Sequence, residues 1–330
     1  MAMVQTTFDY GRIYSLNGIP CNHRARDGGI DSPMTSEPSS GIEGVSRGIY
    51  ECTVPLIRAS RLTSRNRGGI GKNLSEGWCL NFAVGCTHGC PFCYVDSIHK
   101  RFGRKRYGNL VGRKWGDYFL IPRNLNEAIR DTPWGRWRGI EVMMSSTHDP
   151  YLRELAAYSR SILKIGLAEG VRFCIQTRSH FVERDFELLA KYRDQVRLQI
   201  SIATMNKALA RRIEPRAPVP ERRIEILSKA RRLGIETGVI IAPIFPPNGV
   251  RPDVKGDLAE MVESLSEVNP NLIFGESLHI RGDNKRLVEE ALREEIPLGN
   301  GFDKDAGLAF KMALTEHGLK GTWWPERGHR

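Results

Sequence analysis

The hydrophobic pattern of the chain changes near residue 79. Before it, periodic apolar pattern is poor. After it, short runs rich in Val, Ile and Phe alternate with longer stretches whose apolar residues recur about every 3.6 positions. Six strands are predicted, at 79–84, 139–144, 171–175, 196–202, 237–242 and within 271–279. Helices are predicted between them. The one at 151–167 aligns Tyr151, Leu155, Tyr158, Ile162 and Ile165. Others are expected at 186–192 and 257–268, and at 220–233, where Gly234 closes the pattern. Two more are predicted near 284–295 and 303–318, and the tail from Trp323 reads as exposed. Strands alternating with helices predict parallel βα units, an α/β fold. Right-handed crossovers let such units curl into a partial barrel. The site of such a fold lies where the C-terminal strand ends and their loops converge.

The rest of the chain frames that barrel. Residues 1–45, with Asp27-Gly-Gly-Ile-Asp-Ser-Pro and Ser36-Glu-Pro-Ser-Ser-Gly, read as an irregular or disordered extension. Residues 46–75 read as an irregular basic lead-in carrying Arg58, Arg61, Arg65, Arg67 and Lys72. Its Gly68-Gly-Ile-Gly71 is not a P-loop, because Lys72 is followed by Asn73. The barrel is expected over 76–282, followed by a C-terminal helical extension and tail over 283–330.

At 330 residues, with 40% apolar and 26% charged residues, the composition is that of a soluble globular protein with room for a sizeable core. No apolar run is long enough to span a bilayer and no basic-then-apolar leader opens the chain, so a cytoplasmic location without a membrane partner is expected. The net charge of +11 predicts nucleic acid or another polyanion as partner, against a general role in solubility. Between Asp96 and Asp117 there is no acidic residue, and Lys100, Arg101, Arg104, Lys105, Arg106, Arg113 and Lys114 interleave with Phe102, Tyr107 and Trp115. Trp134, Arg136, Trp137 and Arg138 continue the pattern. Cations among aromatics suit phosphate contacts with base stacking, or a solvated basic face with the rings packed inward.

The seven cysteines are an odd number, and three crowd into Cys86-Thr-His-Gly-Cys90-Pro-Phe-Cys93-Tyr94. That excludes a simple disulfide framework and points to metal-binding thiolates in a reduced compartment. Cys21 and Cys52 have no near neighbour, and a second cluster is not expected from them. Three thiolates on one loop can hold three irons of a 4Fe–4S cube. The fourth iron then stays open and can chelate the amino and carboxylate groups of S-adenosylmethionine. The rival is zinc closed by Cys79, His88 or His99, although only one Cys-x2-Cys pair is present. Phe92 either shields a cluster or packs in the core, and Tyr94 either packs or relays a hydrogen atom.

The later strand ends carry polar candidates. Asp149 follows the second strand and is placed to accept from an amino group or to cap the helix after Pro150. Arg178 offers a fork for a carboxylate after the third strand. Ser201 and Thr204 bring hydroxyls after the fourth. Glu214, in Glu214-Pro-Arg-Ala-Pro218, either bonds a ribose or pairs with Arg216.

Four segments together resemble the spore photoproduct lyase-like branch of the radical SAM superfamily, often labelled DNA repair photolyase. They are Gly85-Cys-Thr-His-Gly-Cys-Pro-Phe-Cys-Tyr94, Thr147-His-Asp-Pro-Tyr151, Gln176-Thr-Arg-Ser179 and Ile213-Glu-Pro-Arg-Ala-Pro218. The resemblance spans roughly residues 75–280. It implies a partial (β/α)6 barrel, one 4Fe–4S cluster, S-adenosylmethionine cleaved to a 5′-deoxyadenosyl radical, and a one-electron reductant such as a flavodoxin or ferredoxin. By position it implies Cys86, Cys90 and Cys93 as cluster ligands, with Ser146, Asp149, Arg178, Ser201 and Glu214 around S-adenosylmethionine. One departure stands out. The branch's lyase is expected to carry a hydrogen-donor cysteine near the end of the second strand, where this chain has Met143-Met144-Ser145-Ser146-Thr147. Cys174 is the nearest other candidate thiol, or a buried strand residue.

Overall fold

All six predicted strands lie side by side in one sheet, because each is a mostly buried, mostly apolar run too short to be a helix. The computed structural model describes residues 46–50, 59–61, 78–102, 114–122, 124–297 and 301–324. The expectations for residues 1–45, including Cys21, for most of 46–75, including Cys52, and for 325–330 fall outside the described residues.

The described strands are β1 (Ser46–Tyr50), β2 (Ala59–Arg61), β3 (Trp78–Leu80), β4 (Tyr118–Pro122), β5 (Glu141–Met144), β6 (Arg172–Thr177), β7 (Val196–Ser201), β8 (Glu236–Ile244), β9 (Leu272–Ser277) and β10 (Thr322–Trp324). The helices are α1 (Tyr94–Phe102), α2 (Leu125–Asp131), α3 (Ala156–Ala168), α4 (Phe186–Lys191), α5 (Lys207–Ile213), α6 (Pro220–Arg232), α7 (Val254–Val268), α8 (Asn284–Leu292) and α9 (Phe302–Glu316). Strands β3, β5, β6, β7, β8, β9 and β10 are parallel neighbours in that order and curl into a half-barrel, with β2 added antiparallel beside β3. The α/β partial barrel is therefore as expected, with a seventh parallel strand at its far edge. β1 and β4 form a separate two-stranded parallel sheet.

Several boundaries move for identifiable reasons. The first strand stops at Leu80, and Val84 leaves the sheet to exchange hydrogen bonds with Leu120 of β4, at 3.0 and 2.7 Å. Helix α3 begins at Ala156 because the backbone after Pro150 is first taken up by turns. There Asp149 Oδ1 accepts from the Tyr151 N–H at 2.8 Å and Leu152 O from the Leu155 N–H. Helix α7 begins at Val254, where Asp253 accepts from the Gly256 N–H at 2.8 Å. Asp257 instead turns back to the Thr204 hydroxyl and the Met205 and Asn206 N–H groups.

The tail departs most from expectation. Trp323 is buried rather than exposed, with its ring 5.4 Å from that of Phe310 on α9. Gly275 of β9 gives it room, since a Cβ there would meet the Phe310 and Trp323 rings at 2.8 Å. A two-residue Trp pair followed by proline carries no strand periodicity, so β10 was hidden in the sequence.

Two faces of the sheet carry separate cores. Val142, Phe173, Ile175, Leu198, Ile200, Val239 and Ile241 join the large outer core beneath the helices. Cys79, Met143, Cys174, Ile240, Ala242 and Phe274 form a smaller apolar cluster on the inner face. Truncating Trp323 to Ala should cost about 3–5 kcal/mol in chemical denaturation, as for a buried aromatic. A loss below about 1 kcal/mol would contradict a packed β10.

Candidate active site

The cysteine loop, between Val84 and α1, lies at the C-terminal side of β3. Its path depends on two glycines in backbone-to-backbone contact. Gly89 and Gly116 have φ of +67° and +98°, and a Cβ on Gly116 would stand 2.7 Å from the Gly89 Cα. Arg216 spans the join: Nη1 donates to Thr87 O at 3.1 Å and to Gly116 O, and Nη2 pairs with Asp117 at 3.3 Å. Arg216 thus belongs to the loop, and Glu214 does not pair with it.

Cys90 is buried, and Cys86 and Cys93 are partly exposed. Burial pushes the Cys86 and Cys93 thiols up to about 12, and Cys90 is raised as well. Each is also raised by the charge of another cysteine of the loop, which places the three as electrostatic neighbours. No group of three or more His, Cys, Asp or Glu side chains among the described residues converges as the ligands of one metal ion would. Thiolates on separate corners of a cube need not converge so tightly. The residues named for a zinc site are engaged elsewhere. The Cys79 thiol donates to Asn81 Oδ1 at 3.4 Å, and His88 is held as described next. The side chain of His99 lies outside the described residues.

Asp149 is the hub of the site. Oδ1 accepts from the Tyr151 N–H at 2.8 Å and the Thr177 hydroxyl at 2.6 Å. Oδ2 accepts from the Arg178 N–H at 2.8 Å and contacts His88 Nε2 at 3.1 Å. One carboxylate therefore ties the cysteine loop to the end of β6 and the turns before α3. Burial opposes its charge, but the bonds from His88, Arg178 and Thr177 outweigh that and hold the carboxyl down to about 2. The other ring nitrogen of His88 lies 3.3 Å from Arg216 O.

Glu214 is also buried and engaged. Arg178 Nε donates to its Oε1 at 2.7 Å, while Arg223 on α6 reaches both its oxygens and Ser201 O. The two guanidinium groups hold Glu214 below the usual carboxylate range against the opposing effect of burial. Arg178 lies 5.5 Å over the Phe92 ring, and Phe92 meets Phe245 edge-on at 5.8 Å. Phe92, within the cysteine loop, thus packs under a guanidinium. Ser146 is bound to Asn81 through its N–H, at 2.9 Å, and its hydroxyl, and its carbonyl accepts from the Tyr94 hydroxyl at 3.1 Å. Ser201 Oγ is fully buried and has no hydrogen-bond partner. Helix α1 closes against the loop after β9. Ser97 donates to Arg281 O at 2.7 Å, and Asn284 Nδ2 to Phe92 O at 3.3 Å.

The structure therefore brings Cys86, Cys90, Cys93, Asp149, Arg178 and Glu214 into one connected site, with Ser146 and Ser201 at neighbouring strand ends. Sequence reasoning missed the positioning roles of His88, Arg216 and Arg223. Arg223 had a signal: it falls on the same helical stripe as Ile226, Leu227 and Ala230, where a charge demands a buried partner. Of the basic, aromatic window, Trp115 and Trp134 are buried. Trp115 packs edge-on to Tyr118, and Trp134 donates to Ile129 O and meets Trp137 at 5.3 Å. Those two rings pack inward and are not stacking platforms. Arg104, Lys105, Arg106, Tyr107 and Arg113 lie outside the described residues. No helix among the described residues is long and apolar enough to cross a membrane.

Known proteins resemble this chain in sequence and in fold. The profile of the radical SAM superfamily matches residues 80–251. The uncharacterized protein ORF301 of Acidianus two-tailed virus is 52% identical over 286 residues, 87% of this chain and 95% of the viral protein. Spore photoproduct lyase complexed with dinucleoside spore photoproduct shares the fold, with a TM-score of 0.59 and 14% identity over 87% of each chain. A mutant of that lyase with bound AdoMet and the same dinucleoside gives 0.55 and 14% over 78% of each chain.

The Asp149 carboxyl ordinarily titrates near 3.8 and here is lowered to about 2. Its stabilising contribution is present in full above the ordinary value and is lost as pH falls toward the lowered one. It amounts to about 2 kcal/mol. Asp149→Asn should remove that pH dependence between about pH 4 and 2 in acid denaturation. An unchanged slope in the variant would contradict the hub.

Proposed function

The chain belongs to the radical SAM superfamily, and we propose that Cys86, Cys90 and Cys93 hold three irons of a 4Fe–4S cluster whose fourth iron takes S-adenosylmethionine. The observation that carries this reading is the three-thiol loop, fastened by Arg216, His88 and Asp149 at the C-terminal strand ends. The thiols fit the group chemically. They are soft sulfur ligands on one loop, and binding iron would displace their protons. Two more observations fit: the partnerless Ser201 hydroxyl and the part-exposed Arg178 fork at neighbouring strand ends. When bound, the group supplies one-electron cleavage of S-adenosylmethionine to methionine and a 5′-deoxyadenosyl radical that abstracts hydrogen from the substrate.

The protein's own residues bind, orient and exclude water. Arg178 meets the methionine carboxylate with the part of its guanidinium that Glu214 leaves over, and Glu214 with Arg223 fixes its direction. Ser146 and Ser201 contact the nucleoside with their hydroxyls. Asp149 has both oxygens filled, and it acts by positioning His88 and the Arg178 backbone. Phe92 and Phe245 cover the loop with apolar surface. The net charge of +11 supports nucleic acid or another polyanion as the substrate or its carrier. A flavodoxin or ferredoxin serves as the one-electron donor. The lyase neighbour's dinucleoside supports a nucleic-acid substrate. The Met-Met-Ser-Ser run at the end of β5 argues against taking over that enzyme's reaction unchanged.

Anaerobic reconstitution tests the reading. Wild type should be brown, bleach on reduction and form 5′-deoxyadenosine from S-adenosylmethionine. Each of Cys86→Ala, Cys90→Ala and Cys93→Ala should abolish that product. A colourless protein with one stoichiometric zinc, or cysteine variants that still cleave, would overturn it. Arg216→Ala should weaken retention of iron against a chelator by about tenfold, the usual scale for losing a supporting contact. Unchanged retention would deny Arg216 its clamp role.

A further inference from the structure

The inner face of the barrel holds one polar group that the site described above leaves unused. Leu198 and Ile200 of β7 point into the outer core, so Gln199 between them points inward. It is fully buried, and neither its amide oxygen nor its amide nitrogen has a hydrogen-bond partner. Buried polar groups are as a rule paired, and leaving both ends of a carboxamide unmade is costly. The backbone makes room for it. Gly238 is its register partner on β8, and a Cβ there would stand 3.0 Å from Gln199 Cγ. On the other side its register partner is Gln176 of β6, half-buried and facing the same way. Cys174 and Ile240 lie on the same face and are apolar. Burial also pushes the Glu276 carboxyl, on the same face of β9, up to about 7, while the charges of Arg197 and Glu141, lower on this face, are paired with each other.

A carboxamide presents a donor beside an acceptor without charge. Its complement is a carbonyl beside an N–H. We propose that Gln199, flanked by Gln176, binds the substrate through a neutral cis-amide or imide edge on the inner face of the barrel. The position lies two residues, roughly 6–7 Å, below Ser201 along the strand. A hydrogen abstracted there belongs to a molecule whose uncharged head enters the barrel and whose charged parts stay outside. This inference rests on the radical SAM reading for the statement that the inner face receives substrate.

The test uses the full chain with its cluster and S-adenosylmethionine under argon. Calorimetric titration is run with two probes carrying the edge from different sources, uridine and the cyclic dipeptide of glycine, each against its N-methylated form. At least one should bind saturably, its N-methylated form at least tenfold more weakly. The bound probe identifies the source. Gln199→Leu should bind it at least tenfold more weakly, although its thermal midpoint is no lower than wild type's, because an unpaired buried amide has been removed. Gln176→Leu should lose affinity severalfold and stands as the second variant if the first does not fold. The inference is overturned if neither probe binds, or if the leucine variants bind as wild type does. It is equally overturned if Gln199→Leu lowers the midpoint with affinity unchanged, the outcome for an amide satisfied by trapped water. 5′-Deoxyadenosine formation by the same wild-type preparation reports on the radical SAM reading alone. Its absence sinks that reading, whereas cleavage without probe binding sinks only this inference.

Discussion

One buried carboxylate holds the functional end of this molecule together. Asp149 accepts from Tyr151, Thr177 and Arg178 and meets His88, so three separate segments share a single charge. Sharing is what makes the charge tolerable in a buried place: every lone-pair direction of the carboxylate is used, and its ionised form is favoured despite burial. The cysteine loop has no regular secondary structure between Val84 and α1. Its position is set from outside, by Asp149 through His88 and by Arg216 through the Thr87 and Gly116 carbonyls. A loop fastened from outside in this way is the kind of preorganisation that the proposed cluster would require.

The second buried charge network follows the same logic. Glu214 collects Arg178 and Arg223, and Arg223 is also bonded to Ser201 O at the end of β7. The Glu-Pro-Arg-Ala-Pro turn thus serves two masters. Its glutamate aims the guanidinium beside the cysteine loop, and its arginine clamps the loop itself. Pro215 stands between the two residues and fixes the backbone there.

Much of this was legible in the sequence. The six strands were visible because parallel strands buried on both faces are continuous apolar runs. The cysteine spacing was visible because it is local. Arg178 and Glu214 were visible because they stand immediately past a strand and a helix end, and Asp149 because it lies five residues past β5, before Pro150. The partners of those residues were not, because His88–Asp149 and Arg216–Gly116 join positions separated by 61 and 100 residues. Nothing in the spacing could have said that Glu214 would choose Arg178 and Arg223 over the Arg216 next to it. β10 was missed for a different reason: three residues are too few to show a period, and its stability comes from Phe310 and Gly275. Gln199 read as an ordinary strand residue, and only its register beside Gly238 makes it unusual.

The claim on which everything else stands is that three cysteines bind a cluster with one open iron at the mouth of this barrel. Electron paramagnetic resonance of the reduced, reconstituted protein tests it most directly, with and without S-adenosylmethionine. The account predicts a reduced 4Fe–4S signal whose shape changes when S-adenosylmethionine is added, because the open iron gains two new ligands. A signal unaffected by S-adenosylmethionine, or no cluster signal from wild type, would contradict it.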